Sequence, residues 1–196
     1  MAKLYGREAR LLITHPSTGA NNWFGHQGNQ IEITGLRIQA EIKLSASKHP
    51  NSAEIKVTNL NKQSRAEFTK KPLIISLDAG YDGDLRHLFQ GDLRYGHSRL
   101  QNPDWETTLQ VADGDRAFRQ AKINRSYAAK TPALTILKDL SNQMGLTLPT
   151  DLGSSGLLAD FQTQVQSGHV ASGPAQVEMS RLLDRFQCYW SIAGSR

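Results

Sequence analysis

A metal site, a nucleophile or an acid–base pair demands particular side chains at workable spacing, and this sequence offers few such groupings. Its six histidines, His15, His26, His49, His87, His97 and His169, never stand three or four residues apart, the spacing that places two imidazoles on one helix face for a metal. Cys188 is the only cysteine, which excludes an internal disulfide framework and a four-cysteine zinc site. It lies beside Tyr189 and Trp190 with no neighbouring base in the sequence, and reads as a small core residue rather than a nucleophile. Asp82-Gly83-Asp84 and Asp113-Gly114-Asp115 resemble calcium-loop fragments, but neither continues with the further oxygen ligand, the sixth-position glycine and the twelfth-position glutamate of such a loop. Both read as tight turns. No Gly-x-Ser-x-Gly elbow, Walker loop or Gly-x-Gly-x-x-Gly occurs, and Gly153-Ser154-Ser155-Gly156 reads as a flexible loop. Carboxylate pairs for glycoside hydrolysis come together in space rather than in sequence, and nothing here favours them. No catalytic, cofactor-binding or metal residue is assigned, and no cofactor is expected.

Binding chemistry is the next class. The net charge is +5, from 23 Lys+Arg against 18 Asp+Glu, and it is spread along the chain. Residues 1–112 carry 14 basic and 11 acidic residues, and residues 113–196 carry 9 and 7. The densest basic segment, Arg116, Arg119, Lys122, Arg125 and Lys130, follows directly on Asp113 and Asp115. It lacks interleaved aromatics for base stacking apart from Tyr127, and reads as a solvated or interface face rather than a phosphate patch. Trp23-Phe24 is an apolar pair in a polar loop with Asn21, Asn22, Gly25 and Gly28. Two readings stay open for it, an exposed contact for a partner or a plug on a barrel end.

The elements that would position any such residues are mostly strands at first. With 38% hydrophobic and 21% charged residues in 196, the chain suits one large domain or two small ones, not disorder, collagen or a coiled-coil rod. No run approaches the roughly 18 apolar residues of a membrane span, and charges are scattered through the opening MAKLYGREARLL. Membrane insertion and classical secretion are not expected. Leu36, Ile38, Ala40, Ile42 and Leu44 keep a strict period of two against Arg37, Gln39, Glu41 and Lys43, the mark of a half-buried strand. Ala53, Ile55 and Val57 repeat the pattern after the turn-forming SASKHPN, so the pair predicts a hairpin. Further strands are expected at Arg10 to Thr14, Gln30 to Thr34, Leu73 to Ala79, Leu85 to Leu93 and Trp105 to Val111, with one short helix capped by Asn61. No helix of 10 to 15 residues lies between them to serve as a parallel crossover, which points to a small antiparallel barrel or sandwich.

From Asp113 the pattern changes, and a domain boundary is expected there. Thr131 and Pro132 read as N-cap and first-turn proline of a helix with Ala133, Ile136, Leu137, Leu140 and Met144 on one face and Gly145 at its end. A second helix follows Gly173-Pro174, with Ala175, Met179, Leu182, Leu183 and Phe186 inward and Glu178, Arg181, Asp184 and Arg185 largely outward. Cys188, Trp190 and Ile192 alternate with Tyr189, Ser191 and Ala193 as in a strand. The polar FQTQVQ segment reads as an exposed strand. There is no internal repeat.

Together these motifs resemble a known family. Pro50-Asn51-Ser52-Ala53-Glu54-Ile55-Lys56-Val57-Thr58-Asn59-Leu60, then Ala79-Gly80-Tyr81, then Leu88-Phe89-Gln90-Gly91-Asp92-Leu93 resembles the order of motifs in bacteriophage tail baseplate hub proteins. Asp113-Gly114, the helix from Thr131 to Leu146 and the aromatic Trp190-Ser191-Ile192 continue the likeness, which covers roughly residues 30–196. The resemblance implies an α+β, mainly β fold: an antiparallel tail-tube-like β-barrel over 1–112, followed by a small α+β domain over 113–196 with two amphipathic helices. It implies a structural role, with trimer or hexamer rings joining the tail tube to the tip or spike. Partners would be further copies of the chain and tail tube, tape measure and tip or spike proteins. No small-molecule substrate, specific nucleic acid or membrane insertion is implied, and the location would be the virion tail after assembly in the host cytoplasm.

In that role Asn59-Leu60 would stop a strand and cap the short helix, Gly80 would supply a positive φ, and Gly91 would form a bulge. Hubs of this family continue into a second barrel, whereas this sequence stops at Gly194-Ser195-Arg196. A fragment and a short hub completed by other copies or proteins both fit. The alternatives from other classes are a nucleic-acid or polysaccharide binding module using Arg116 to Lys130 and Trp23-Phe24, and a tail-associated cell-wall hydrolase.

Overall fold

A computed structural model of the chain describes residues 6–15, 30–45, 47, 49–68, 72–81, 83–148, 164–165 and 167–192. Trp23-Phe24, His26 and the Gly153–Gly156 loop lie outside them, as does most of FQTQVQ. The chain divides into two compact units, Met1–Ser45 with Pro50–Gly114, and Ala46–His49 with Asp115–Arg196.

The first unit is one antiparallel sheet of seven strands. These are β1 (Arg7–Thr14), β2 (Gln30–Ile33), β3 (Ile38–Lys43), β4 (Ser52–Thr58), β5 (Ile74–Tyr81), β6 (Asp84–Gln101) and β7 (Asp104–Ala112), in the order β2-β1-β5-β6-β7-β4-β3. The expected hairpin forms with its apolar rows matched, Ile38 opposite Val57, Ala40 opposite Ile55 and Ile42 opposite Ala53. A slip of one residue would turn every one of these side chains to the wrong face. Helix α1 (Lys62–Glu67) is capped as expected, the Asn61 side chain accepting from the Ser64 amide at 2.7 Å.

Although β2 and β3 form opposite edges of the sheet, only residues 34–37 separate them in sequence. In a flat seven-stranded sheet the outer strands would lie about 29 Å apart, six spacings of roughly 4.8 Å. Five Cα steps reach at most about 18 Å, so the sheet is curled. Leu11, Ile13, Ile33, Ile55, Val57, Phe68, Ile75, Leu77, Leu93, Leu109 and Val111 form one buried core, with Ile31, Leu36, Ile38 and Ile42 packed against it. The expected barrel is not closed. Among the described residues no ladder joins β2 to β3, and the chain passes between them through Gly35 at φ +71°.

Strand β6 makes the bend. Its 18 residues pair with β5 up to Asp92 and with β7 from Asp92 onward. The ladder skips a residue at Leu88 and again at Arg94, so these carry the bulges that Gly91 was expected to supply. Gly91 serves close approach instead: a Cβ there would stand 2.6 Å from the carbonyl carbon and oxygen of Ala112 and 2.8 Å from the Asp113 amide. Gly80 likewise does not supply the positive φ of the β5–β6 turn, which belongs to Gly83 at φ +84°; a Cβ on Gly80 would collide with the Asp84 carbonyl. Asn59, itself at φ 61°, ties the end of β4 to β7. Its amide donates to the Trp105 carbonyl at 2.7 Å, and its side chain accepts from the Trp105 amide at 3.0 Å and donates to Asp104 at 2.8 Å.

In the second unit, β8 (Lys122–Tyr127) pairs antiparallel with β11 (His169–Pro174), and the two-residue strands β9 (Thr131–Pro132) and β10 (Gln164–Val165) pair with each other. Three helices accompany them: α2 (Asp115–Gln120), α3 (Ala133–Met144) and α4 (Ala175–Asp184). Helix α3 buries the expected face, Ala133, Ile136, Leu137, Leu140 and Met144, and ends at Gly145 in the left-handed conformation at φ 70°. It does not use Thr131 as a cap, because that residue is held in β9 and its hydroxyl donates to the Ala128 carbonyl at 2.8 Å.

Helix α4 buries Ala175, Met179, Leu182 and Leu183 as expected. It also buries Glu178, which the sequence placed outward. The strand expected at residues 188–192 is absent, since Gln187 turns left-handed at φ 53° and no ladder receives the segment. The alternation still governs burial there, with Ile192 buried, Cys188 and Trp190 half-buried and Tyr189 94% exposed. The Trp190 indole donates to Ser180 on α4 at 3.1 Å.

Candidate functional site

The first unit presents two unpaired sheet edges among the described residues, β2 and β3. A free edge carries a row of backbone donors and acceptors that a further strand can satisfy. Along β3 even the residues facing the core, Ile38 and Ile42, are only half-buried, Ala40 is exposed, and Leu44 just beyond is 71% exposed. Charge on β3 is muted by the Glu41–Lys43 ion pair at 3.2 Å. On β2 the outward Glu32 lies 4.0 Å from Arg10 of β1.

Strands β3, β4, β6 and β7 line a polar cavity of about 190 Å³ that includes Glu41, Lys43, Ser52, Glu54, Arg94 and Gln110 in its lining. Small-molecule sites are mostly apolar and roughly 300–1,000 Å³ in volume, so this groove is both smaller and more polar. Glu41 and Glu54 lie directly opposite each other in the ladder, and each is paired with a lysine two residues along its own strand, Lys56 standing 3.4 Å from Glu54.

Polar groups elsewhere in the first unit contact one another or an aromatic ring. Asp78 is buried on β5, takes two bonds from the Arg10 guanidinium at 3.1 and 2.9 Å, and stands 3.0 Å from His87 Nδ1. His97 is stacked on Tyr95 with ring centroids 5.3 Å apart. Trp105 lies under the Arg65 guanidinium at 3.7 Å.

In the second unit the basic segment is partly neutralised. Arg119 binds the buried Asp115, its Nε 2.8 Å from Oδ2, and Arg125 binds Asp139 at 2.6 Å. Tyr127 donates its hydroxyl to the same Asp139 oxygen at 3.2 Å. Burial first, and then that carboxylate, push the Tyr127 phenol above its ordinary range. The calcium-like fragments are engaged in the same way: Asp84 faces Arg86 at 3.7 Å, and Asp115 holds Arg119. Cys188 is half-buried and directs its thiol to the Phe186 carbonyl at 3.3 Å. Among the described residues, no three His, Cys, Asp or Glu side chains gather as metal ligands, and no helix is long and apolar enough to cross a membrane.

Sequence reasoning missed the pairing of His169 with Glu178, both buried and 4.0 Å apart. No motif signals it, because the two residues meet only when β11 and α4 pack.

No family model matches the chain, and no curated protein matches it. Solved structures do. The chain is similar to the 43 kDa tail protein of prophage MuSo2 from Shewanella oneidensis, with a TM-score of 0.56 and 11% identity over 95% of this chain and 50% of that one. It is similar also to a chain of the Francisella PdpA–VgrG complex in its half-lidded form, with a TM-score of 0.55 and 11% identity over 94% of this chain and 31% of that one. It therefore spans half the length of the first protein and less than a third of the second. At such low identity the likeness to a prophage tail protein and to part of a VgrG complex lies in the fold, which in this chain is α+β and mainly β.

Proposed function

We propose that this protein is a non-enzymatic structural subunit of a bacteriophage tail or tail-like assembly, acting at the baseplate hub. In this reading copies associate around an axis into a trimeric or hexameric ring, and the curled sheet serves as a tail-tube-like barrel completed between copies. The ring joins the tail tube to the tip or spike and sits in the virion tail. The observation that carries the reading is the fold shared with the prophage tail protein over nearly the whole chain. The two free edges support it, since a β2 edge of one copy laid against a β3 edge of the next satisfies both rows of backbone groups and repeats head to tail until the ring closes.

The test uses two full-length chains with one cysteine each, Glu32→Cys and Glu41→Cys, both in a Cys188→Ser background. Mixed and oxidised, they form a disulfide dimer between unlike chains if β2 meets β3 across copies. Equal crosslinking between copies of either variant incubated alone, or none at concentrations where copies associate, overturns the edge-to-edge arrangement.

A further inference from the structure

The second unit buries an acid–base pair that the assembly reading does not use. His169 opens β11 opposite Tyr127 of β8, and Glu178 sits in the first turn of α4. Their side chains are 3% and 2% exposed. His169 Nε2 and Glu178 Oε2 face each other at 4.0 Å, and neither has a hydrogen-bond partner. A hydrogen bond needs about 3 Å, and a buried polar atom left without one destabilises the fold. The other carboxylate oxygen, Oε1, already accepts from Arg181 Nη1 at 2.6 Å.

The groups around the imidazole decide what a proton would do there. Strand β8 presents the Tyr127 ring, 6.2 Å away between centroids, whose hydroxyl is held by Asp139 of α3 together with Arg125. Helix α4 presents Glu178 and Arg181, and Arg185 follows it directly. The Glu178 carboxylate already pairs with Arg181, so an imidazolium would be a second cation against it, on a side chain only 3% exposed. Burial is the largest influence holding His169 below its ordinary value; Arg185 and Arg181 act in the same direction, and Glu178 opposes them.

We propose that the His169–Glu178 contact is a proton-operated joint: proton uptake by the imidazole in mildly acidic solution loosens α4 from the β8–β11 ladder. The sign follows from linkage. A histidine whose folded value lies below its unfolded value, near 6.5, contributes stability that is complete above about pH 6.5 and is lost as the pH falls toward the folded value. The inference does not depend on the assembly reading.

The test uses the full-length chain. Histidine NMR locates the His169 titration, and hydrogen exchange, corrected for the intrinsic rate at each pH, gives the opening equilibrium of the α4 amides. The expected titration midpoint lies below 6.5, and the α4 opening constant rises from pH 7 to pH 5 by up to about tenfold per pH unit, the limit for one proton, while β7 amides serve as the reference. His169→Gln removes this rise. Arg185→Gln, at an exposed position, moves the midpoint up, and Glu178→Gln moves it further down. A midpoint at or above 6.5, or the same pH dependence in wild type and His169→Gln, overturns the proposal.

Discussion

Replacing Gly91 by alanine tests the account of how the sheet curls. The added Cβ would lie 2.6 Å from the carbonyl carbon and oxygen of Ala112 and 2.8 Å from the Asp113 amide, whereas comfortable contact begins near 3.5 Å. Nearly 1 Å must therefore be opened between two backbones at Asp92, the residue where β6 pairs with β5 and β7 at once. Overpacking typically costs about 1–3 kcal/mol, and the upper end applies because the obstacle is backbone rather than a side chain that can swing away. The lower entropy of the unfolded alanine chain returns about 0.4–1 kcal/mol, leaving a net loss of roughly 2–2.5 kcal/mol. Gly35→Ala is the control. At that position φ is +71° and nothing lies within 4 Å of the new Cβ, so only the left-handed backbone penalty of about 1–2 kcal/mol applies, partly offset by the same entropy. Urea unfolding of the full-length chain, followed by circular dichroism, gives both values. Gly91→Ala within 0.5 kcal/mol of wild type, or less harmful than Gly35→Ala, would refute the close-approach argument.

Two further substitutions test single contacts by the same unfolding measurement. Asn61→Ala removes the cap that holds the Ser64 amide and is expected to cost about 1 kcal/mol, with exchange increased first in residues 62–67. Asp78→Ala leaves the half-buried Arg10 guanidinium without its two bonds and is expected to cost about 1.5–3 kcal/mol, the range for hydrogen bonds to charged groups; no loss would mean that Arg10 is held by solvent or Glu32 instead.

The parts legible from the sequence were those where one periodicity ran undisturbed. The apolar rows of β3 and β4, the buried face of α3, the Gly145 stop and the Asn61 cap all follow from local residue patterns. Strand β6 was legible only to Leu93, because the bulges at Leu88 and Arg94 shift the alternation and Arg94 to Gln101 is largely polar. The helix start at Thr131 and the strand at residues 188–192 went astray for one reason: local pattern does not show whether a partner strand is present. β10 claimed Thr131, and among the described residues none claimed Trp190.

The candidate site was the least legible part. A free edge is a property of sheet order, and the burial of Glu178 depends on Arg181 one turn along α4 and on His169 from β11. By helical spacing Glu178 stands one turn from both Ala175 and Leu182, beside the buried face, and only its charge argued for solvent.

The central claim, assembly through copies of the chain, is tested most directly by absolute mass in solution. Light scattering on a sizing column, at several protein concentrations and two salt levels, reads it without a partner. The account predicts a species of about three or six times 21.7 kDa that persists on dilution and in salt, as edge pairing with apolar burial requires. A mass of 21.7 kDa at every concentration would contradict it.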